Sequence, residues 1–222
     1  MIDPAEGAFF LVNKPLEWTS FDVVNKLRYL LKTKKIGHAG TLDPLATGLL
    51  IICAGKMTKR IEEFQGMEKE YTGVITLGQS TPSYDLETMP SEPVAVDHIS
   101  EDAIRAAVKK LTGIIKQTPP AHSSIKVDGK RAYTLARKGK DPQLKAREVE
   151  VKTFEIVSVN KPAIRFRIVC SKGTYIRSLA NDLGADLGVG GFLSELCRTR
   201  IGNFKLEDAE TIDELKERFR DA

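Results

Sequence analysis

Apolar positions change their spacing from segment to segment along this chain, and the changes predict its elements. Ala8 to Val12 is a short apolar run that reads as a strand and is broken by Lys14-Pro15. After Thr19-Ser20, the residues Phe21, Val24, Leu27, Leu30 and Leu31 share one helical face, with Ser20 as the expected N-cap. This helix runs out into Lys32-Thr33-Lys34-Lys35, and cations suit a helix C-terminus. Gly48 to Ala54 predicts a buried strand, and a short helix at about Met57 to Phe64 follows. Tyr71, Gly73, Ile75 and Leu77 alternate with Thr72, Val74 and Thr76, which is strand spacing. Ser80 to Val96, rich in Pro, Ser and acids, reads as a loop. Ser100 is placed to cap a helix through about Leu111. Asp128-Gly129 is a two-residue hairpin turn signal. A helix through Ala136 is expected next, then strands at about Val149 to Val159 and Ala163 to Cys170. A strand-to-helix junction is expected at Cys170 to Leu179, and an acidic helix at about Ile212 to Arg220.

Composition narrows the class. The chain has 222 residues, enough for one large domain or two small ones, and 41% of them are hydrophobic, so a packed core is expected. No apolar run approaches the roughly 20 residues of a bilayer span. Met1 to Glu6 lacks the basic start of a secretory signal. The three cysteines, Cys53, Cys170 and Cys197, are widely spaced and give neither a disulfide framework nor a zinc pattern. Cys53 and Cys170 each close an apolar run and read as small core residues, and a reducing cytoplasm fits best. The net charge of +4 is mild, but it is unevenly spread. Lys116 to Arg147 holds nine Lys or Arg against Asp128 and Asp141, whereas Glu207 to Ala222 holds seven acids against three bases. A positive central face is where a polyanion would dock, although charge runs are as often simply solvated.

One stretch organises the rest: Gly37-His38-Ala39-Gly40-Thr41-Leu42-Asp43-Pro44-Leu45-Ala46-Thr47-Gly48-Leu49-Leu50. Glycine permits positive φ, and Pro44 pushes Asp43 towards an extended conformation. Asp43 is thus expected on a stiff irregular loop against a buried strand. Asp before Pro is most often a turn former. The stretch has no Gly-Lys-Ser/Thr ending of a phosphate loop, and His38 and Asp43 have no third and fourth metal ligand nearby.

Gly37 to Leu50 resembles the catalytic loop of the TruB family of tRNA pseudouridine synthases, roughly G-H-x-G-x-L-D-P-x-A-x-G-x-L, at every fixed position. Further segments resemble the same family. Lys14-Pro15-Leu16-Glu17-Trp18-Thr19-Ser20 is similar to its K-P-x-G-x-T-S segment, departing at Glu17, where glycine would allow positive φ. Pro119 to Tyr133 is similar to its P-P-x-x-S-A-x-K-x-x-G-K-x-x-Y block. Cys170 to Arg177 matches its C-S-x-G-T-Y-I-R segment, and Leu196 to Gly202 its L-x-R-x-x-x-G end. The likeness covers about Phe10 to Asp208.

The resemblance implies an α+β pseudouridine synthase fold: a central mixed, largely antiparallel sheet flanked by helices, with a catalytic cleft across it. It implies a catalytic domain at residues 8–208 and a short acidic helix at 209–222, with no PUA-type RNA-binding domain. It implies that Asp43 is the catalytic residue, Tyr71 stacks on the target uracil, and Arg177 pairs with Asp43. Arg177 in the first turn of a helix opposes the dipole, which itself argues for a partner. Tyr175 is expected to wall the base pocket and Leu196 to touch the base. His38 is expected to brace the space left by a flipped nucleotide. Lys14 is expected to bind substrate, and Lys126 and Lys130 to border the cleft. The implied reaction is isomerisation of uridine 55 in the T-loop of tRNA, without cofactor or metal. The expected partner is the T-arm stem-loop, met by a cytoplasmic monomer. Two other classes stay open: a non-catalytic RNA-binding protein on this scaffold, and a hydrolase using Asp43 as nucleophile.

Overall fold

The computed structural model describes residues 7–127 and 129–220. Met1 to Glu6, Asp128 of the expected turn, and the last two residues of the acidic stretch lie outside the described residues. The elements in chain order are β1 (Ala8–Lys14), α1 (Ser20–Leu30), β2 (Ile36–Ala39), β3 (Ala46–Ala54), α2 (Ile61–Gly66), β4 (Lys69–Leu77), α3 (Glu101–Lys110), β5 (Gly113–Gln117), β6 (Lys126–Val127), β7 (Lys130–Arg131), α4 (Ala132–Ala136), β8 (Arg147–Asn160), β9 (Ala163–Cys170), α5 (Ile176–Asp186), β10 (Gly191–Ile201), β11 (Phe204–Lys205) and α6 (Ile212–Arg218). This is an α+β fold with a mixed, mostly antiparallel sheet, as expected. A 3₁₀ turn, Gly55–Arg60, replaces the start of the helix expected from Met57. Two units divide the chain: Met1–Thr72 with Leu196–Ala222, and Gly73–Glu195.

The first unit is built on β3. This strand pairs antiparallel with β1 from Lys14↔Gly48 to Ala8↔Ala54, and with β2 from Ala39↔Ile51 to Ile36↔Ala54. At its start it pairs parallel with β10, Leu196 opposite Ala46. Side chains of a strand alternate faces. Leu50, Ile52 and Ala54 enter one core with Phe10, Val12, Val23, Val24, Leu27, Ile212 and Leu215. Leu49, Ile51 and Cys53 enter another with Ala39, Phe64 and Ile201. Both faces are covered, so the strand reads as an unbroken apolar run rather than an alternation. The acidic helix α6 is therefore seated in this unit's core through Ile212 and Leu215. Burial pushes the Cys53 thiol up to about 11, as suits an inert core cysteine.

The cap of α1 is Thr19 rather than Ser20. Thr19 Oγ1 accepts from the Asp22 N–H at 3.1 Å, and Asp22 accepts in return from the Thr19 N–H at 2.8 Å. This reciprocal box satisfies two orphan donors at once. Ser20 is thereby left for another task at the Asp43 loop.

In the second unit β8 is central. It pairs antiparallel with β9, with register shifts at Val151/Thr153 and Ile156/Ser158, and with β5 from Gly113↔Val151 to Gln117↔Arg147. Ser100 caps α3 as expected, accepting from the Ala103 N–H at 3.1 Å. Lys126–Val127 and Lys130–Arg131 form the expected hairpin ladder. β4 and β10 cross from one unit to the other within continuous strands. Among the described residues no helix is long and apolar enough to cross a membrane.

Glu17 adopts φ 66, the left-handed region that suits the glycine of the family pattern. Its N–H still donates to the Pro44 carbonyl at 2.9 Å, so the loop keeps this conformation with a glutamate in place. Removing the Cβ relieves strain that exceeds the entropic penalty of glycine. Glu17→Gly is expected to stabilise the protein by about 1 kcal/mol, raising the melting temperature by roughly 2–4 °C. A thermal melt showing a lower temperature for the variant would refute the strain.

Candidate active site

The loop carrying Asp43 is held from both sides within the first unit. Ser20 Oγ accepts from the Leu42 N–H at 2.8 Å and donates to the Leu42 carbonyl at 3.1 Å. Lys14 Nζ donates to the carbonyls of Trp18 at 2.6 Å, Pro15 at 2.8 Å and Pro44 at 3.3 Å. Arg198 donates through Nε to the Leu49 carbonyl at 2.7 Å and through Nη2 to the Gly40 carbonyl at 3.1 Å. Gly48, at φ 101, lets β10 approach: a Cβ there would collide with the Arg198 backbone. Backbone groups before and after Asp43 are thus fixed by three buried side chains. Asp43 is partly exposed at the centre of this frame.

Lys14 was expected to bind substrate. It is fully buried, and its ammonium faces backbone carbonyls, so its role in the structure is to tie the Pro15–Trp18 turn to the Asp43-Pro44 loop. Burial lowers its pKa to about 8, the neighbouring Asp43 opposes that shift, and Arg198 adds to it. His38 lies on β2, largely buried, and burial followed by the nearby Arg198 charge lowers its pKa against the pull of the Gly40 carbonyl. Its Nδ1 has no hydrogen-bond partner among the described residues. Tyr71 sits on β4 and is buried. Leu196, partly exposed, lies opposite Ala46 in the β10–β3 ladder, and its carbonyl accepts from Thr47 Oγ1 at 3.4 Å.

In the second unit Arg177 is the second residue of α5 and is buried. Its Nε lies 3.5 Å from an Asp85 carboxylate oxygen, Nη1 donates to the Ser83 carbonyl at 2.9 Å and Nη2 to the His122 carbonyl at 3.0 Å. Asp85 also accepts from the Glu87 N–H at 3.0 Å. A partner for Arg177 was expected from its position against the helix dipole, and within this unit Asp85 is one. Tyr175 is the N-cap of α5. Lys126 and Lys130 are exposed on the β6–β7 hairpin.

Four residues had no role assigned in the sequence reading: Arg198 and Asp85 in these frames, and Gln117 and Arg147 beside Tyr175. Arg198 is the arginine of the L-x-R-x-x-x-G segment, but that likeness gave no hint of its part as a backbone tie. Gln117 and Arg147 read as ordinary polar residues of a basic stretch. Asp85, in a loop rich in Ser, Pro and acids, left none.

Comparison with known proteins identifies the family. The model of the "TruB family pseudouridylate synthase (N terminal domain)" matches residues 28–176, and that of the "tRNA pseudouridylate synthase B C-terminal domain" matches residues 177–221. The chain belongs to the TruB family of pseudouridylate synthases, which places it among the isomerases. A Phocaeicola vulgatus protein named tRNA pseudouridine synthase B is 50% identical over 218 residues, covering 96% of this chain and 93% of that protein. Its Thermobifida fusca namesake is 49% identical, covering 94% of this chain and 74% of that protein. An archaeal box H/ACA sRNP Nop10–Cbf5 complex superposes with a TM-score of 0.71 at 28% identity, covering 96% of this chain and 54% of that one. An H/ACA RNP bound to a substrate RNA containing 2′-deoxyuridine gives 0.70 at 28% identity, covering 97% and 55%. The chain spans about half the length of these two solved chains.

The state of Lys14 has a measurable signature. Its folded pKa, about 8, lies below the ordinary 10.5, so the unfolded chain binds that proton more tightly between these values. Stability contributed through Lys14 therefore rises with pH across that window. Lys14→Met should cost about 1–3 kcal/mol at neutral pH, because it takes the Lys14 donor from the Pro15 and Trp18 carbonyls. The deficit relative to the parent should widen from pH 8 to 10.5, read by denaturant unfolding at several pH values. A constant or shrinking deficit would show that the ammonium is not desolvated.

Proposed function

We propose that this chain isomerises uridine 55 in the T-loop of tRNA to pseudouridine, with Asp43 as the catalytic carboxylate. The observation that carries this reading is the frame around Asp43. Lys14, Ser20 and Arg198 fix backbone groups on both sides of one partly exposed carboxylate. A loop that only turned the chain would not need two buried cations to hold it. The names of the relatives, tRNA pseudouridine synthase B, support the substrate.

The reaction cuts the C1′–N1 bond of a uridine, turns the freed uracil and rejoins it through C5. It is redox-neutral and loses no group, so the proposal includes neither cofactor nor metal. It needs a carboxylate near C1′ and C2′, an aromatic platform for the mobile ring and a cation to orient the carboxylate. In this reading Asp43 either attacks C1′ or takes the C2′ proton. Tyr71 stacks on the uracil, and Arg177 orients Asp43. Tyr175 and Leu196 wall the base, and His38 braces the space from which the nucleotide is flipped at a cost of a few kcal/mol. Lys126 and Lys130 lie with the exposed cations of the basic segment, suited to T-arm phosphates. Lys14 acts indirectly, through the loop it ties. Residues 8–208 form the catalytic part, closed by the acidic helix. The substrate's compartment makes the cytoplasm the place of action, and a monomer supplies every residue named.

The test is mapping of pseudouridine in a T-arm stem-loop and in whole tRNA incubated with the purified chain. Asp43→Asn is expected to bind both RNAs like the parent and to lose more than about 1,000-fold in turnover, since an amide is neither nucleophile nor base. Arg177→Lys should also impair turnover, because an ammonium lacks the planar fork of a guanidinium. Turnover by Asp43→Asn within tenfold of the parent would sink the assignment. Hydrolysis of free uridine by the parent would favour the hydrolase alternative.

A further inference from the structure

β5 ends at Gln117 and β8 begins at Arg147, and these two residues are partners in the antiparallel ladder. Both reach a third residue, Tyr175. Gln117 is fully buried. Its side-chain oxygen accepts from the Tyr175 N–H at 2.8 Å, and its side-chain nitrogen donates to the Tyr175 carbonyl at 3.0 Å. The amide thus mimics a neighbouring strand and fixes the Tyr175 backbone from both sides. Arg147 acts on the side chain. Its guanidinium lies over the Tyr175 ring, 5.1 Å from the centroid, and donates to the Gly173 carbonyl.

Arg147 differs from the other cations of its segment. The eight other Lys and Arg residues from Lys116 to Lys145 are exposed, whereas Arg147 is half-buried. Its Nε is buried and has no hydrogen-bond partner among the described residues. A guanidinium placed for hydrogen bonding would not leave a donor idle, whereas one placed for flat contact with a ring can. The turn it touches is pinned elsewhere too. The Ser171 N–H donates to the Glu150 carbonyl at 2.8 Å, and Ser171 Oγ accepts from the Glu150 N–H at 3.0 Å. Gly173 stands at φ 84, where a side chain would be strained. The same turn leads directly into Arg177.

We propose that Gln117 and Arg147 are a matched pair of positioning residues for Tyr175, Gln117 setting its backbone and Arg147 the plane of its ring. This rests on the reading of Tyr175 as a wall of the base pocket. A uracil that detaches and turns is guided only by fixed surfaces, so a wall free to swing slows the chemical step without weakening RNA binding. Neither residue touches the reacting atoms.

The test compares the parent with Arg147→Lys, Gln117→Glu and Tyr175→Phe, using a T-arm stem-loop as the probe RNA. Single-turnover rates at saturating RNA, Kd, the salt dependence of Kd and melting temperatures are measured. Arg147→Lys is expected to lower the saturating rate by about tenfold or more, with Kd within threefold and the salt slope unchanged. Gln117→Glu, which keeps the acceptor but sets a carboxylate against the Tyr175 carbonyl, should give the same split. In the Tyr175→Phe background, which keeps the ring, Arg147→Lys should cost the same factor. A weaker Kd with a shallower salt slope and a parental rate would make Arg147 a phosphate contact and overturn the proposal. Parental values throughout would overturn it as well. So would a rate loss matched only by a collapse in melting temperature in both Arg147→Lys and Gln117→Glu. If the parent itself forms no pseudouridine, the functional reading fails first, which separates the two failures.

Discussion

A buried ammonium holds the Asp43 loop in shape. Lys14 Nζ has carbonyls of Pro15, Trp18 and Pro44 within reach, drawn from two segments that the Glu17 N–H to Pro44 carbonyl bond also joins. Without the ammonium the Pro15 and Trp18 carbonyls would lose this donor, and a buried charge is itself costly. Burial accordingly depresses the lysine, and Asp43 nearby limits the depression. Arg198 plays the corresponding part at Gly40 and Leu49. Two buried cations thus hold the backbone on either side of one carboxylate. The loop, its strain at Glu17 and the close approach of β10 at Gly48 all follow from that arrangement.

The second unit treats Arg177 in a similar way, with opposite signs. A guanidinium in the first turn of α5 faces the positive end of the helix dipole. It is tolerated because Asp85 and two carbonyls receive it. Asp85 in turn sits on a loop that is cross-bonded along its length. Ser83 and Thr88 hydroxyls lie 2.7 Å apart, the Leu193 N–H donates to the Tyr84 carbonyl at 2.9 Å, and Tyr84 stands at φ 64. A strained residue beside a buried ion pair is the pattern expected where surrounding structure over-determines a functional group. Breaking such a pair by removing one partner leaves an uncompensated charge, which is why the loop needs so many ties.

Local patterns made much of this legible. Unbroken apolar spacing at Gly48 to Ala54 and alternation at Tyr71 to Leu77 each gave a strand in the right place, because burial on two faces or one leaves that mark. The Gly-His to Gly-Leu stretch marked the Asp43 loop, since glycine and proline restrict the backbone locally and so must appear in the sequence. The cap of α1 was misplaced by one residue: Ser is the stronger capping type, but the reciprocal bond with Asp22 favours Thr19.

What the sequence determined by itself was therefore the family, the helices and the strands β1, β3, β4, β8 and β9, while β2, β5 and β10 came only from the tertiary structure. It also offered Asp43, Tyr71, Tyr175 and Arg177 as the expected chemistry. What only the tertiary structure decided was which polar side chains hold them. Lys14 turned out to be an internal tie, Ser20 a brace for Leu42, Asp85 a partner of Arg177, and Gln117 with Arg147 a clamp on Tyr175. The reason is physical. Backbone preference and hydrophobic period act between near neighbours and are written in consecutive residues. The pairing of a buried donor with its acceptor depends on which segments the sheet brings side by side, and residues as far apart as Leu49 and Arg198 carry no local trace of it.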